Sequence, residues 1–182
     1  MRVSVSRHWA MAKEDAFDVC EFNAAAYLMA RDRGRAWTAL PVFCHRRFRH
    51  GFVFVNPERG IREPKDLIGK KIGVPEYQMT APVWIRGILS EHYGVPVDSV
   101  TYYTGSEEEP GRPEKQKLDL PSNIKVQSIP QDKTISQMLR DGELDAFHTA
   151  RAPSTLDGIN VLRLFPDYAQ VERDYYRKTK IF

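Results

Sequence analysis

Apolar residues along the chain alternate between the spacing typical of strands and the spacing typical of helices. Runs rich in β-branched and aromatic residues predict strands at residues 38–43, 51–56, 72–74, 100–104, 124–128, 145–148 and 159–162. Helices are predicted between several of these runs, beginning after Asn23, at Thr80, after Thr134 and after Asp167. Because strands and helices follow one another in order, the pattern favours an α/β architecture with a largely parallel sheet.

The residues at the ends of the helical segments support these assignments. Asn23 is a suitable N-cap for a helix through residue 30, and Gly34 is placed to end it. Thr80 is expected to cap a helix that has a proline in its first turn and a glycine just past its end. Residues 134–137 form a Thr-x-x-Gln capping box, which predicts a helix over residues 135–140.

Composition narrows the class of protein. The chain has 182 residues, of which 42% are hydrophobic and 28% charged, as is usual for a globular domain and unlike a disordered chain. A net charge of +3 does not by itself indicate binding to nucleic acid or to an anionic membrane. The longest apolar stretch, residues 24–30, is too short for a membrane-spanning helix.

The cysteines and the first residues indicate whether a metal site is expected and in which cellular compartment the protein is located. Cys20 and Cys44 form neither a disulfide framework nor the paired spacing of a zinc site, so no metal is expected. Residues 1–16 contain no uninterrupted apolar region of the kind found in a signal peptide. A cytoplasmic location is therefore expected.

A dense basic cluster, Arg46-Arg47-Phe48-Arg49-His50, lies between two predicted strands. Three guanidinium groups so close together repel one another, so we expect an anion or several carboxylates to compensate them. Arginine suits carboxylate or phosphate because its planar group donates two parallel hydrogen bonds. The alternative is an exposed basic turn or a nucleic-acid patch. A small anionic ligand is favoured, since no basic stripe with interspersed aromatic residues occurs elsewhere.

A second candidate anion site is the polar loop at residues 75–79, which leads from a strand into the Thr80 helix. Free backbone N–H groups at a helix N-terminus attract anions, and the Thr80 hydroxyl lies within reach. Trp84, one turn further along, is expected either in the core or in the wall of a pocket.

Two further segments contain charged residues near strand ends. Arg151 follows the strand at residues 145–148 and is expected either to meet the same ligand across a cleft or to pair with a carboxylate. His148 is interpreted as a strand histidine with its hydrogen bonds satisfied. The acidic residues in the long loop at residues 105–121 are interpreted as a solvated face.

Several motifs together resemble one family. Residues 61–74 and 139–146 are similar to the beginning and end of the second lobe in type 2 periplasmic-binding-protein folds. Within that superfamily the chain resembles the 4,5-dihydroxyphthalate decarboxylase-like proteins, from about residue 15 to residue 182. The motifs that carry this resemblance are Phe17-Asp18-Val19-Cys20-Glu21, Arg46-x-Phe48-Arg49-His50, Pro75-Glu76-Tyr77-Gln78-Met79-Thr80 followed by Trp84-Ile85-Arg86-Gly87, Glu109-Pro110-Gly111-Arg112, Arg151-Ala152-Pro153, Leu164-Phe165-Pro166-Asp167-Tyr168 and Tyr175-Tyr176-Arg177.

The resemblance implies a division into lobes. It predicts a partial first lobe at residues 1–60, a second α/β lobe at residues 61–150 and a return segment at residues 151–182. Members of this family are longer at both ends, so we expect a shortened member whose first lobe is incomplete. That expectation leaves a periplasmic location of the parent protein open, and it predicts self-association through exposed strand edges together with impaired activity.

The resemblance also implies a function. It predicts non-oxidative decarboxylation of a hydroxylated aromatic dicarboxylate, without a cofactor, in a cleft where the substrate-binding side chains converge. Those residues are Arg46, Arg49, Tyr77, Gln78, Thr80, Trp84 and Arg151, with His50 as the candidate catalytic acid. Two alternatives use no acid: a solute-binding protein for a small carboxylate, and a nucleic-acid-binding domain.

Overall fold

The computed structural model describes residues 4–111 and 118–182. Their contacts divide them into two compact units. The smaller unit comprises Met1–Arg46 and Gln78–Thr80, and the larger comprises Arg47–Tyr77 and Ala81–Phe182. The lobe boundaries predicted at residues 60 and 150 stay a prediction.

The smaller unit contains helix α1, Ser4–Glu14, and helix α2, Ala24–Asp32. As predicted, Asn23 caps α2, because its side-chain oxygen accepts a hydrogen bond from the Ala26 N–H at 2.9 Å. Gly34 follows α2 with φ +83°, a conformation that a residue without Cβ adopts readily. Residues 38–43 are irregular chain, so the strand predicted there is wrong.

The larger unit is built on one six-stranded sheet with the order β4-β3-β2-β5-β1-β6. Its strands are β1 Val53–Val55, β2 Lys71–Val74, β3 Thr101–Thr104, β4 Lys125–Ser128, β5 Ala146–His148 and β6 Leu162–Arg163. Strands β2, β3, β4 and β5 are parallel, whereas β1 runs antiparallel to both β5 and β6. The α/β class is confirmed, and the predicted largely parallel sheet is mixed at the β1 side.

Helices cover both faces of this sheet. Helix α3, Thr80–Tyr93, and helix α5, Tyr168–Thr179, pack against one face, and helix α4, Ile135–Arg140, packs against the other. Strand side chains alternate accordingly: Val53 and Val55 lie in the core under α3, and Phe54 lies in the core under α4. Thr134 caps α4 as predicted, accepting a hydrogen bond from the Gln137 N–H at 3.3 Å.

Two strands differ from their predicted bounds. The strand predicted at residues 159–162 is two residues long and occupies Leu162–Arg163 instead. The preceding residues form a turn around Asp157, whose carboxylate accepts hydrogen bonds from three backbone N–H groups and so replaces strand pairing. The strand predicted at residues 51–56 is shortened to Val53–Val55 by a 3₁₀ turn at His50–Phe52.

Two histidines are buried in the core of the larger unit. His50 is 1% exposed and lies edge-on to the rings of Tyr93, Phe165 and Tyr175, and neither ring nitrogen has a hydrogen-bond partner among the described residues. Burial lowers the pKa of His50 to about 4, with a smaller contribution from the charge of His92. His148 is 0% exposed, and its nitrogens also lack partners in the described part of the chain, so the expectation of a satisfied strand histidine is wrong.

The close approach of α4 to the sheet generates a first prediction. A Cβ added at Gly73 in β2 would lie 2.4 Å from Cγ2 of Ile135 and 3.0 Å from Cδ1 of Leu144. Gly73→Ala is therefore expected to lower the free energy of unfolding by about 1–3 kcal/mol, the usual cost of overpacking. Gly87→Ala is the matched control: a Cβ there meets no described atom within 4 Å, and alanine in a helix interior stabilises by about 0.5–1 kcal/mol. Urea denaturation measures both, and equal stability of the two variants would contradict the packing described.

The burial of His50 predicts a dependence of stability on pH. Its pKa is about 4 in the folded chain and 6.5 in an unstructured peptide, so between these values the unfolded chain binds a proton that the folded chain does not. With respect to His50, the free energy of unfolding should thus be at its maximum above about pH 6.5. It should decrease by about 3 kcal/mol as the pH falls to about 4. Denaturation of wild type and His50→Leu from pH 4 to 8 checks this. His148 acts in the same direction in both proteins, so only a shallower slope in the variant supports the assignment to His50.

Candidate functional site

The smaller unit contains three of the predicted ligand-binding residues: Arg46, Gln78 and Thr80. Arg46 is exposed, and its guanidinium carbon lies 5.8 Å from the centroid of the exposed Phe43 ring. The Thr80 hydroxyl accepts a hydrogen bond from the Ala25 N–H at 3.1 Å and donates one to Asn23 Oδ1 at 3.3 Å. Thr80 therefore helps Asn23 to satisfy the first N–H groups of α2. Because Thr80 is itself the first residue of α3 and its hydroxyl is used in this way, its predicted role as the N-cap of α3 is wrong.

In the larger unit, Arg49 is half-buried beside a carboxylate. Burial lowers the pKa of Arg49, the charge of Arg47 lowers it further, and Glu172 opposes both effects. Burial also raises the pKa of Glu172, although its Oε1 accepts a hydrogen bond from the Gly51 N–H at 3.0 Å. The repulsion between the charges of Arg47 and Arg49 is thus offset by the carboxylate of Glu172, which lies on α5.

His50 directly follows Arg49 but is turned into the aromatic core described above. A buried imidazole with a pKa of about 4 is neutral at pH 7. In this structure, His50 therefore lacks the second ring proton that an imidazolium would donate as an acid. Arg49 and His50 border a narrow apolar crevice with Val53, Ile85 and Phe165. The role of His50 as the catalytic acid stays a prediction.

The loop after β2 places Tyr77 over a buried arginine. Tyr77 is 9% exposed, and its backbone oxygen accepts a hydrogen bond from Nη2 of Arg86 at 2.8 Å. The Arg86 guanidinium carbon also lies 3.8 Å from the centroid of the Tyr77 ring. Trp84, on the same helix, is 42% exposed, so it is not a core side chain and is available to line a binding surface.

Arg151 pairs with a buried carboxylate. Its Nη2 lies 3.1 Å from Oε2 of Glu107, whose other oxygen accepts a hydrogen bond from the Thr149 hydroxyl. Glu107 is 8% exposed, whereas the Arg151 side chain is 68% exposed. The pairing with a carboxylate, one of the two alternatives that the sequence left open for Arg151, is therefore present.

Glu108 continues this network. Its carboxylate accepts hydrogen bonds from the Ser136 hydroxyl at 2.8 Å and the Ser154 N–H at 3.0 Å, and also from the Ser154 hydroxyl. Burial alone would raise the pKa of Glu108, but hydrogen bonds from Ser154 and Ser136 lower it below its usual value. Glu107 and Glu108 connect the end of β3 to α4 and to the chain after β5. The interpretation as a solvated face is therefore wrong for Glu107, which is buried, whereas Glu108 is exposed.

Sequence reasoning thus assigned no structural or binding role to Glu107, Glu108 and Arg86. For the two glutamates a signal was present, because they lie three and four residues after the end of a predicted parallel strand, where polar groups from neighbouring strands converge. For Arg86 the signal was its position beside the apolar Ile85, Ile88 and Leu89 of a helix. Residues 112–117 of the long loop, including Arg112 of the Glu109-Pro110-Gly111-Arg112 motif, lie outside the described residues.

The described part of the chain offers neither a clustered metal site nor a membrane span. Residues 4–111 and 118–182 contain no group of three or more histidine, cysteine, aspartate or glutamate side chains able to hold a metal ion. No helix within those same ranges combines the length and the apolar character needed to cross a membrane.

Comparison with known proteins identifies relatives. No protein-family model matches the chain. The chain is 41% identical over 169 residues to a 4,5-dihydroxyphthalate decarboxylase of Comamonas testosteroni, a match that covers 91% of this chain and 51% of that protein. It is 42% identical over 164 residues to a 4,5-dihydroxyphthalate decarboxylase of Pseudomonas putida, a match that covers 88% of this chain and 64% of that protein.

The chain therefore spans between about half and two thirds of the length of these curated relatives, and the similarity extends over nearly all of it. On this similarity the chain is a relative of 4,5-dihydroxyphthalate decarboxylases over the part of their length that it covers.

Proposed function

We propose that the protein to which this chain belongs decarboxylates 4,5-dihydroxyphthalate or a closely similar hydroxylated aromatic dicarboxylate. The observation that carries the proposal is the identity of 41–42% to two proteins named for that reaction, over about 90% of the chain. The solute-binding alternative lacks such support, because both relatives are named as decarboxylases.

The chemistry of the substrate explains why the chain needs cations and a proton donor. A hydroxyl para to a carboxylate pushes electron density onto the ring carbon that bears it. An acid protonates that carbon, the carbon–carboxylate bond then breaks, and its electron pair restores the aromatic ring as carbon dioxide leaves. The proton takes the place of the carboxylate, so the product is a dihydroxybenzoate and no oxidant or reductant is consumed.

The predicted binding residues suit such a dianion. Arg46 and Arg49 are proposed to hold carboxylates, with Tyr77, Gln78, Thr80 and Arg151 as further polar contacts and Trp84 as an aromatic wall. The half-buried position of Arg49 supports its role, since a charge-assisted hydrogen bond is stronger where water is partly excluded. Convergence of all these side chains on one cleft remains part of the proposal.

The fold proposed for the parent protein is that of type 2 periplasmic binding proteins. Parallel strands with helices on both faces, as in the larger unit, support an α/β lobe of this kind. In such folds ligands bind beyond the carboxyl ends of the strands, the edge at which Tyr77, Glu107 and Arg151 follow β2, β3 and β5.

Turnover distinguishes the enzyme from a binding protein. Incubation of the protein with 4,5-dihydroxyphthalate is expected to release carbon dioxide and form 3,4-dihydroxybenzoate, measured by chromatography. Phthalate, which lacks the ring hydroxyls, should bind without decarboxylation, because nothing pushes electron density onto its ring carbon. Binding of both compounds without any carbon dioxide release would favour the solute-binding alternative.

The role of Arg49 is tested by substitution. Arg49→Ala is expected to weaken phthalate binding by roughly 1.5–3 kcal/mol, the scale of one charge-assisted hydrogen bond. Arg173→Ala is the matched control, because Arg173 donates to Gln170 on an exposed part of α5 and should leave the affinity unchanged. Isothermal titration calorimetry measures both variants, and an unaltered affinity of the Arg49 variant would remove that residue from the site.

A further inference from the structure

Arg86 is a buried cation on α3 that the sequence did not assign to the site. It is 8% exposed and is held in place by Tyr77 and Tyr102. Its Nη2 donates to the Tyr77 backbone oxygen at 2.8 Å, and its guanidinium carbon lies 3.8 Å and 5.3 Å from the two ring centroids. The two tyrosine rings contact each other edge-on, with centroids 5.2 Å apart. The guanidinium is therefore fixed in position by aromatic faces.

Arg86 has hydrogen-bond donors that are not used within the described residues. A guanidinium has five N–H donors, and Nη1 of Arg86 is buried without a hydrogen-bond partner among the described residues. Within residues 4–111 and 118–182, no ion pair joins Arg86 to a carboxylate, and the groups that influence its pKa besides burial are the two tyrosines. A buried charge without a counter-charge is costly, because burial removes the water that would otherwise stabilise it.

Arg163 provides an internal comparison. It too is stacked between two rings, with its guanidinium carbon 5.0 Å from the Phe54 centroid and 4.9 Å from the Tyr168 centroid, and it donates to the Gly51 backbone oxygen. However, Arg163 has a carboxylate in its vicinity, since its charge acts on Glu172. Among the described residues, the chain thus compensates one stacked arginine and leaves the other without a carboxylate.

A second unsatisfied group lies on the same side of the sheet. His148 ends β5, and its side chain points to the face that Ala146 shares with α3, since alternate residues of a strand share a face. Neither ring nitrogen of His148 has a partner in the described ranges, and the charge of Arg86 acts on the imidazole. Because β2 and β5 are parallel, the ends of these strands lie at one edge of the sheet. Polar groups with unused hydrogen-bonding capacity, from α3 and from β5, therefore meet near the loop that carries Tyr77.

We propose that Arg86 is the buried cation of a carboxylate-binding subsite that Tyr77 covers. The subsite takes one carboxylate of an aromatic dicarboxylate, which accepts hydrogen bonds from Nη1 of Arg86, with His148 behind it. Since the guanidinium and the Tyr77 ring are both buried, the ring must move aside for the carboxylate to enter. This inference rests on the proposed function for the identity of the ligand, and it adds to the site a residue to which the sequence assigned no role.

A ligand-binding role and a structural role of Arg86 predict opposite effects of its loss on the free energy of unfolding. If Arg86 serves the ligand, its burial opposes folding of the ligand-free chain, so Arg86→Met should leave the free energy of unfolding unchanged or raise it. If it serves the fold, its loss should destabilise the chain, as we expect for Arg163→Met, which takes a neighbouring cation away from Glu172. Urea denaturation of both variants measures this directly, without any ligand.

Calorimetric titration with phthalate supplies the binding measurement, and benzene-1,2-dimethanol serves as an uncharged control of the same shape. Arg86→Met is expected to weaken phthalate binding roughly 10- to 100-fold, the scale of one charge-assisted hydrogen bond. Arg86→Lys, which keeps the charge but loses the planar group, should lose less, and Arg163→Met should bind phthalate as wild type does. The diol should bind weakly to all four proteins.

The outcomes are distinguishable. If wild type binds phthalate and Arg86→Met binds it equally well, the subsite is overturned while the proposed function stands. If Arg86→Met loses as much stability as Arg163→Met, or fails to fold, Arg86 supports the fold and the proposal is overturned. If wild type binds neither phthalate nor 4,5-dihydroxyphthalate, the proposed function fails, and the subsite fails with it.

Discussion

The hydrogen bonds of Asp145 are the constraint on which the larger unit depends. This buried residue directly precedes β5, and its carboxylate accepts from the Lys71 N–H at 2.8 Å and from Nε of Arg59 at 2.6 Å. Its backbone N–H donates to the Lys71 oxygen, and its backbone oxygen accepts from the Asn56 N–H. One residue therefore joins the start of β2 to the end of β1 and fixes β5 between them. Since a buried carboxylate is tolerated only when it is fully hydrogen-bonded, the three segments cannot shift independently.

The position of β5 decides which side chains can share a surface. Its three residues are 0% exposed, and the chain leaves the sheet immediately afterwards at Thr149 and Arg151. Glu107 arrives at the same edge from β3 and takes both of these residues as hydrogen-bond partners. Further along, backbone oxygens of residues 106 and 107 accept hydrogen bonds from the first N–H groups of α4. The polar groups at the strand ends thus position a helix and a crossing segment.

Charge balance distinguishes the groups at this edge from one another. Glu107 and Arg151 satisfy each other, and Arg49 has Glu172 nearby, so these cations are already compensated in the folded chain. Arg86 has aromatic rings and a backbone oxygen but no carboxylate among the described residues. The carboxylate proposed above for the Arg86 subsite would supply the missing counter-charge.

The sequence by itself determined the class of fold and most of the helices, and it carries the similarity to known decarboxylases. The caps at Asn23 and Thr134 and the helix after Thr80 depend on interactions over three or four residues, so local sequence predicts them. The strand predicted at residues 38–43 failed because β-propensity reports a fit to a sheet that only distant residues can supply. Tertiary structure alone decided that β1 is antiparallel, that His50 is enclosed by three aromatic rings, and that Glu107 pairs with Arg151. It also decided that Arg86 is left without a carboxylate in the part of the chain that the structure describes. Each of these outcomes depends on residues far apart in sequence, and burial in the assembled core, which no local pattern encodes, sets the energy of their charges.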